Sequence, residues 1–367
     1  MYVAQLWLTD VRNHAATDVE LPDGLVVVIG DNGQGKTNLL EAVGVCATLT
    51  SFRGAPTDAL VRSGAERGIV RAEVVESTRR SLIEIELGPG RTRAQLNRQP
   101  LKRTRELLGL LRVTVFGPDD LEVVKGSPTG RRRYLDDLLV ACLPRNDELR
   151  RSLERVLKQR STLLKQAGPR ADADALSTLD VWDAQLVELG TELARRRAAI
   201  TAELGPRVTA AYRSLLEDRT GPPPEIALTY APEWMEEGLA AALTRLRRDE
   251  LRRGVSLVGP HRDDLVVELG GMPARTHASQ GEQRSLALAL RLAGHELVAE
   301  RTGTPPVVLL DDVLSELDPT RARALLDHLP DAQVLLSTAG AIPEGIDPEA
   351  TLRIEAGRVV SATRAAA

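Results

Sequence analysis

One segment of the sequence has the composition and spacing of a phosphate-binding loop. Residues 30–37 read Gly-Asp-Asn-Gly-Gln-Gly-Lys-Thr, which fits the pattern GxxxxGK[ST], and they lie between an apolar run and an apolar-periodic segment. Glycines let backbone N–H groups curl around phosphate oxygens, and the start of the next helix adds a favourable dipole. In this pattern the lysine neutralises the β- and γ-phosphates and the hydroxyl binds Mg²⁺. The predicted nucleotide-binding residues are Gly30, Asp31, Asn32, Gly33, Gln34, Gly35, Lys36, Thr37 and Asn38.

Two acidic residues end a second apolar run. Asp311 and Asp312 follow residues 306–310, which read as a fully buried strand. In ATPases with a phosphate-binding loop (P-loop), a carboxylate at this place holds Mg²⁺. We therefore expect Thr37 and Asp311 to bind the metal. Lys36 and Asp312 are the expected catalytic residues, Asp312 by orienting the attacking water.

A third element narrows the class of ATPase. Ser279-Gln280-Gly281-Glu282-Gln283 opens an apolar helix, and a serine and a glycine at a helix start form an anion site. Because it precedes Asp311 in the chain, the segment resembles the signature motif of ABC-type ATPases. By the same resemblance, Ser315-Glu316-Leu317-Asp318 corresponds to their D-loop and Ser337-Thr338 to the place of their switch residue. The nucleotide contacts implied here are Ser279, Gln280, Gly281, Gln283, Asp318 and Thr338.

Strands and helices must hold these residues in place. Turn signals and hydrophobic periodicity predict their positions. Strands are expected near the N-terminus and at Leu25–Ile29, 69–75, 82–87, 226–230, 265–269 and 306–310. Helices are expected after the P-loop, from Asn146 as N-cap to Gly168-Pro169, over 179–204 with an interruption at Gly205-Pro206, and over 281–297.

This order predicts an α/β fold. The expected architecture is an ABC-type P-loop ATPase head, with a mixed sheet and helices, interrupted by a second, helical lobe and without a long coiled coil. Residues 1–127 would form the N-terminal part of the head and 128–220 the helical lobe. Residues 221–367 would form the C-terminal part of the head, with the signature motif, the acidic strand and the D-loop.

Composition excludes several classes of protein. The 367 residues are 43% hydrophobic and 27% charged, which is typical of a globular protein with a sizeable core. The apolar runs are too short to span a membrane, and the first residues do not read as a secretion signal. Two cysteines without a CxxC pattern suit a reducing compartment, so we expect a cytoplasmic protein. Few aromatic residues leave little for stacking bases, so any contact with DNA would run through arginine to phosphate.

The combination of motifs resembles the RecF family over about residues 3–360. The resemblance rests on the P-loop with Thr37–Ala42, on residues 51–53, 126–128 and 131–136, on Gly259-Pro260-His261-Arg262-Asp263-Asp264, and on 309–318. It implies ATP and Mg²⁺ as cofactors and nucleotide contacts from Arg12 and Asn13. It further implies an ATP-dependent homodimer, in which Ser279 and Gly281 of one copy reach the γ-phosphate held by Lys36 of the other. DNA, RecO and RecR are the implied partners, in placing a recombinase on gapped DNA, and association with the nucleoid is implied only by this resemblance.

Several residues depart from the pattern of that family. The segment expected to read Phe-Arg-Asn-Tyr is Val11-Arg12-Asn13-His14, and Ala278 replaces the leucine that usually opens the signature motif. Asp312 is one methylene shorter than the usual ABC glutamate. Because a poorly placed base costs on the order of 10²–10⁴ in rate, we expect slow hydrolysis, with ATP acting as a clamp.

Two basic segments are candidates for DNA contacts. The first is the acid-free stretch 91–105, with Arg103 and Arg105, and the second is Arg131-Arg132. Each has a plain alternative, a solvated surface for the first and structural packing within the head for the second.

Other P-loop proteins fit the sequence less well. A transporter subunit lacks so long an insertion before Asp311, and a kinase or GTPase needs no segment like 279–283. An SMC-type tether needs hundreds of coiled-coil residues. The SMC-type head of another DNA-repair ATPase stays an alternative, as does a structural scaffold that does not bind ATP.

Overall fold

The computed structural model describes residues 1–90, 92–216, 224–340, 342 and 346–364. The chain forms two compact units. The first consists of Met1–Asp120, Ala211–Arg219 and Leu288–Ala367, and the second of Leu121–Ala210 and Thr220–Ala287. This division differs from the predicted one. Residues 224–287, which we assigned to the C-terminal part of the head, belong to the second unit because they pack with the helices that precede them.

The described strands, in chain order, are β1 (Tyr2–Val11), β2 (His14–Glu20), β3 (Leu25–Ile29), β4 (Gly68–Glu76), β5 (Arg79–Leu87), β6 (Arg93–Leu96), β7 (Gln99–Pro100), β8 (Val113–Phe116), β9 (Ile226–Thr229), β10 (Val266–Leu269), β11 (Met272–Pro273), β12 (Val307–Asp311), β13 (Val334–Thr338), β14 (Ala350–Glu355) and β15 (Arg358–Arg364). The described α-helices are α1 (Lys36–Thr48), α2 (Leu121–Lys125), α3 (Pro128–Cys142), α4 (Asn146–Ala167), α5 (Ala173–Ser214), α6 (Trp234–Glu237), α7 (Leu239–Arg253), α8 (Ala274–His277), α9 (Gln280–Thr302) and α10 (Pro319–Asp327).

A mixed sheet in the first unit positions the P-loop. Its strand order is β15-β14-β3-β13-β12-β8, and its pairs are parallel except for β14 with β15. Every residue of β12 is buried, as expected of a strand covered on both faces, which explains the continuous apolar run in the sequence. Because β3, β13 and β12 run in the same direction, the residues that follow them meet at one edge of the sheet.

An antiparallel sheet, ordered β2-β1-β4-β5-β6-β7, is the second layer of this unit. Along β5 the buried residues alternate with more exposed ones, so one face of the sheet turns inward. That face shares a hydrophobic core with α1 and the mixed sheet, in which Leu6, Ile83, Leu40 and Leu309 are all fully buried. The turn between β1 and β2 therefore lies in the same unit as the P-loop.

Helices dominate the second unit. The Arg160 side chain of α4 is fully buried and donates to Asp183, Glu250 and the hydroxyl of Ser256, at 2.5, 2.6 and 2.8 Å. A buried cation is tolerated only when it is paired in this way. A small sheet ordered β11-β10-β9 completes the unit.

The predicted elements agree with the structure except at two helix positions. The strand Leu25–Ile29 and the end of α4 before Gly168 are confirmed. Asn146 is not the N-cap of α4: Arg145 occupies that place, and the Asn146 amide donates to the carbonyl of Leu139 at 2.5 Å. The predicted interruption at Gly205-Pro206 is also wrong, because α5 continues through Pro206. No helix in the described ranges is both long and apolar enough to cross a bilayer.

Candidate nucleotide site

The P-loop connects β3 to α1, as predicted. Gly30, Gly33 and Gly35 have φ values of 154°, 79° and 115°, which residues with a Cβ rarely adopt. The Lys36 ammonium lies inside the loop and donates to the carbonyls of Gly30 and Asp31, at 2.7 and 3.0 Å. The loop is thus folded around the lysine that would neutralise phosphate charge.

The two predicted metal ligands are in contact. The Thr37 hydroxyl donates to Asp311 Oδ1 at 2.7 Å, although the two residues are 274 positions apart. The Ser337 hydroxyl donates to the same oxygen at 2.9 Å. Burial raises the pKa of Asp311, and these two hydrogen bonds oppose that effect. Because the Thr37 hydroxyl donates its hydrogen bond to Asp311, the lone pairs of its oxygen remain available to bind a cation.

Asp312 begins the turn that follows β12. It has φ 53° and ψ 23°, a left-handed conformation that aspartate tolerates better than most residues. Its backbone N–H donates to Ser337 Oγ at 3.0 Å, so one serine binds both acidic residues. The Asp312 side chain is half-buried next to the Thr37–Asp311 pair in sequence, where a water-orienting carboxylate was predicted.

Arg12 and Asn13 lie in the turn between β1 and β2, and their side chains are engaged within the first unit. Two Arg12 nitrogens donate to the Glu41 carboxylate of α1 at 2.8 and 2.9 Å. Asn13 Nδ2 donates to the carbonyl of Gln34 at 2.9 Å, and its Oδ1 accepts from Asn38 at 2.8 Å. In this structure they support the P-loop and α1, so a direct contact with nucleotide stays a prediction.

The signature segment forms the start of α9 in the second unit. Ser279 and Glu282 form a capping box: the Glu282 carboxylate accepts from the Ser279 N–H at 2.9 Å and hydroxyl at 2.7 Å, and the Glu282 N–H donates to Ser279 Oγ at 3.3 Å. Ser279 and Gln280 are exposed and Gly281 is half-buried. Although Ser279 is exposed, its N–H and hydroxyl already donate to the Glu282 carboxylate, which an anion would have to displace.

Gln283 departs from the prediction. Its side chain is buried, and its amide donates to the carbonyls of Ala274 and Arg275, at 3.1 and 3.2 Å. Gln283 therefore fixes α8 to α9 and does not face solvent with Ser279. The sequence could not show this, because Gln283 follows the exposed Ser279 by only four positions, at the same helix start.

The remaining predicted contacts lie in the first unit. Asp318 is the N-cap of α10 and accepts from the Arg321 N–H at 3.0 Å. Thr338 ends β13, and its hydroxyl accepts from the Gly340 N–H at 3.2 Å. Thr338 follows Ser337 at the strand edge where Asp311 lies.

The two basic segments differ in burial. Arg103 is exposed and Arg105 half-buried, next to the short turn Thr104–Leu107. Arg131 is buried and donates twice to the Asp264 carboxylate, at 2.7 Å each, and once to the carbonyl of Gly126. Arg132 donates to the carbonyl of Asp263 at 2.7 Å. Of the two interpretations left open for Arg131, a DNA contact and structural packing, the internal ion pair supports packing.

Sequence reasoning missed the parts played by Ser337 and Glu41. Ser337 is paired in register with Asp311 across β13 and β12, so its position beside the carboxylate follows from strand register. Glu41 lies one turn into α1, is buried, and accepts from Arg12 and from the Ser51 hydroxyl. An acidic residue within the apolar periodicity of α1 is the signal that could have indicated a buried partner for Arg12.

The comparisons with known proteins agree with this geometry. The model of the family described as RecF/RecN/SMC N-terminal domain matches residues 2–339. The predicted class, an ABC-type ATPase head with a second, helical lobe, is confirmed, and the described residues contain no long coiled coil.

Individual relatives narrow the class. The DNA replication and repair protein RecF of Beutenbergia cavernae is 45% identical, with 95% of this chain and 96% of that protein covered. The protein of the same name from Streptomyces avermitilis is 47% identical, covering 92% and 94%. A solved structure of the recombination mediator protein RecF with ATP in the RecFOR pathway has a TM-score of 0.88 at 28% identity, covering 100% and 98%. The chain belongs to the RecF family.

Proposed function

We propose that this chain is an ATP-dependent DNA-binding protein of recombinational repair and of replication-fork maintenance. The contact between Thr37 and Asp311 carries the proposal, because it joins the P-loop to the acidic strand end as ATP hydrolysis requires. The relatives are DNA replication and repair proteins, which supports a role in repair and replication.

ATP with Mg²⁺ is the proposed ligand. Mg²⁺ usually takes one or two protein oxygens and completes its shell with phosphate oxygens and water. Thr37 Oγ1 and Asp311 Oδ1 supply such a pair of oxygens and would hold the ion. When bound, the ion would neutralise charge on the β- and γ-phosphates. Lys36 adds a positive charge at the same loop, and Asp312 orients the attacking water.

A second copy of the chain completes the site. Ser279 at the start of α9 is exposed, and its hydroxyl and N–H, which donate to Glu282 in this structure, would pass to the anion when it binds. This end of the helix lies in the second unit. In the proposed homodimer, Ser279 and Gly281 of each copy bind the γ-phosphate held by the other. Hydrolysis by the short Asp312 is slow, so the dimer persists until ATP is cleaved and acts as a switch, with no chemistry on DNA.

DNA at gaps is the proposed substrate of the clamp, with RecO and RecR as partners in loading a recombinase. The solved relative is a recombination mediator protein in the RecFOR pathway, which supports those partners. Arg103, which is exposed and close to Arg105 in sequence, is the candidate for phosphate contact.

Measuring the molar mass by light scattering, with and without Mg·ATP and a gapped duplex, tests this proposal. The parent is expected to be a monomer without nucleotide and a dimer with Mg·ATP. Lys36→Met is expected to lose ATP binding, and Ser279→Arg to bind ATP but remain monomeric. Ser177→Arg, which places the same bulk on an exposed serine of α5, serves as the control and should dimerise normally. A parent that binds no ATP contradicts the nucleotide site, and one that binds ATP but stays a monomer with DNA contradicts the clamp.

A further inference from the structure

Two consecutive carbonyls of the P-loop, those of Gln34 and Gly35, accept hydrogen bonds from residues outside the loop. The Gln34 carbonyl accepts from Asn13 Nδ2 at 2.9 Å and from the Gly357 N–H at 2.8 Å. The Gly35 carbonyl accepts from His14 Nε2 at 3.0 Å, and also from the Leu39 N–H at 3.0 Å. The donors Asn13 and His14 belong to the β1–β2 turn and the start of β2, and Gly357 to the turn between β14 and β15.

Fixing a carbonyl also fixes the N–H group of the same peptide. In a planar trans peptide the C=O and the following N–H point in opposite directions. Donors on the outer side of the Gln34 and Gly35 carbonyls therefore aim the N–H groups of Gly35 and Lys36 to the other side of the loop. In P-loops those N–H groups cradle the phosphates.

The close approach of Asn13 and His14 to the P-loop depends on a glycine at position 35. A Cβ atom at Gly35 would lie 2.7 Å from Asn13 Oδ1 and 2.9 Å from His14 Nε2, closer than such atoms approach. Gly35 also has a φ of 115°. The P-loop glycine thus makes room for the two side chains as well as for phosphate.

The hydrogen bonds of His14 define its tautomer. The imidazole is fully buried, with Nε2 against the Gly35 carbonyl and Nδ1 2.9 Å from the Thr17 hydroxyl. Because a carbonyl can only accept, Nε2 carries the proton, and Nδ1 accepts from Thr17. Thr17 therefore holds His14 in the form that donates to the P-loop.

We propose that His14 and Asn13 are positioning residues, which hold the Gly35 and Lys36 N–H groups in the orientation that binds the phosphates of ATP. The inference rests on the proposed nucleotide site and extends it to residues that need not touch the nucleotide. Neither residue moves a proton during hydrolysis.

Two substitutions at position 14 separate positioning from packing. His14→Leu removes the donor to Gly35, and His14→Gln retains an amide donor and a carbonyl acceptor. Titration of Mg·ATP by calorimetry is expected to show binding weakened about five- to tenfold in His14→Leu, the effect of removing one neutral hydrogen bond, and largely restored in His14→Gln. In steady-state hydrolysis the loss should appear in KM more than in kcat.

Ile83→Val is the control for reduced stability, because Ile83 is fully buried in the same core, its truncation costs about 1 kcal/mol, and it lies outside the P-loop. Its affinity for Mg·ATP should equal that of the parent. Lys36→Met tests the site itself. If the parent and Lys36→Met bind ATP equally, the proposed function fails. If only Lys36→Met loses binding, and a folded His14→Leu binds like the parent, the positioning role alone fails.

Discussion

Arg131 and Asp264, 133 positions apart, form a two-pronged ion pair in the second unit, with both N···O distances 2.7 Å. The Arg131 side chain is only 5% exposed, whereas that of Asp264 is 34% exposed. The guanidinium matches the carboxylate in a fixed geometry, and its remaining nitrogen donates to the Gly126 carbonyl. Arg131 thus joins the start of α3 to the segment that precedes β10.

We expect Arg131→Ala to destabilise the protein and not to act on DNA directly. Removing one partner of a buried pair leaves the other charge unpaired, which costs about 3–5 kcal/mol when both are buried. Because Asp264 is partly exposed to water, we expect the free energy of unfolding to decrease by about 2–3 kcal/mol. Urea titration measures this decrease. Arg133→Ala, on the same helix but with a side chain 51% exposed, is the control and should change stability little. A stable Arg131→Ala that fails to bind DNA would contradict the structural role.

Replacing Arg103 and Arg105 by glutamine tests the exposed basic segment. If these arginines neutralise phosphates, affinity for every duplex should fall, and the slope of log K against log salt should become shallower by about one unit for each arginine that does so. Fluorescence anisotropy at several salt concentrations measures both effects. Arg79→Gln removes an exposed charge at the start of β5, outside the part of that strand that pairs with β6. It should leave the slope unchanged. Parental affinity in the double variant would assign this segment to solvated surface.

The P-loop, its flanking strand and the acidic strand end could all be predicted from the sequence. They depend on local rules: a buried parallel strand is a continuous apolar run, and glycines accept the conformations that a phosphate loop needs. The contact between Thr37 and Asp311 then follows from the parallel direction of β3 and β12.

The errors came from packing and side-chain contacts that the local sequence rules do not describe. Pro206 does not end α5, although proline in a helix costs about 3 kcal/mol, because Leu204 and Val208 on either side are fully buried. Arg207 and Thr209 also donate from their side chains to the carbonyls of Glu203 and Gly205. For Arg131 the sequence left a DNA contact and internal packing both open, and its ion pair with a residue 133 positions later favours packing.

Asp312→Asn should separate hydrolysis from nucleotide binding. An amide keeps the shape of the side chain but cannot act as a base, so kcat is expected to fall, though by less than the factor of about 10²–10⁴ that a well-placed base supplies, because Asp312 is already the shorter carboxylate. Affinity for Mg·ATP and dimer formation should persist, because Lys36, Thr37 and Asp311 are unchanged. Single-turnover hydrolysis and light scattering measure the two properties.

Asp249→Asn, which makes the same change at a carboxylate of α7 whose side chain is 47% exposed, is the control for Asp312→Asn. It should reduce hydrolysis less than Asp312→Asn does. Parental turnover in Asp312→Asn would move the water-orienting role to another residue. Turnover of the parent as fast as that of a typical metabolic enzyme would contradict the expectation that the short carboxylate makes hydrolysis slow.

His295 should make the first unit less stable at acidic pH. The side chain is 4% exposed, Nδ1 lies 3.1 Å from the Thr114 hydroxyl, and Nε2 has no hydrogen-bond partner among the described residues. Burial lowers its pKa from 6.5 to about 4. Between those values the unfolded chain binds a proton that the folded chain does not, so stability falls as the pH decreases from about 6.5 to 4, by at most about 3 kcal/mol.

Urea titrations at pH 7.5 and 5.0 measure this decrease. His295→Gln removes the titrating group, so its stability should change less between the two pH values, even if packing makes it less stable at both. Part of the decrease should remain, because burial also lowers the pKa of His261 in the second unit to about 4. His277→Gln replaces an exposed histidine and should keep the parental pH dependence. An equally steep decrease in His295→Gln and the parent would show that protonation of His295 is not what weakens the fold in acid.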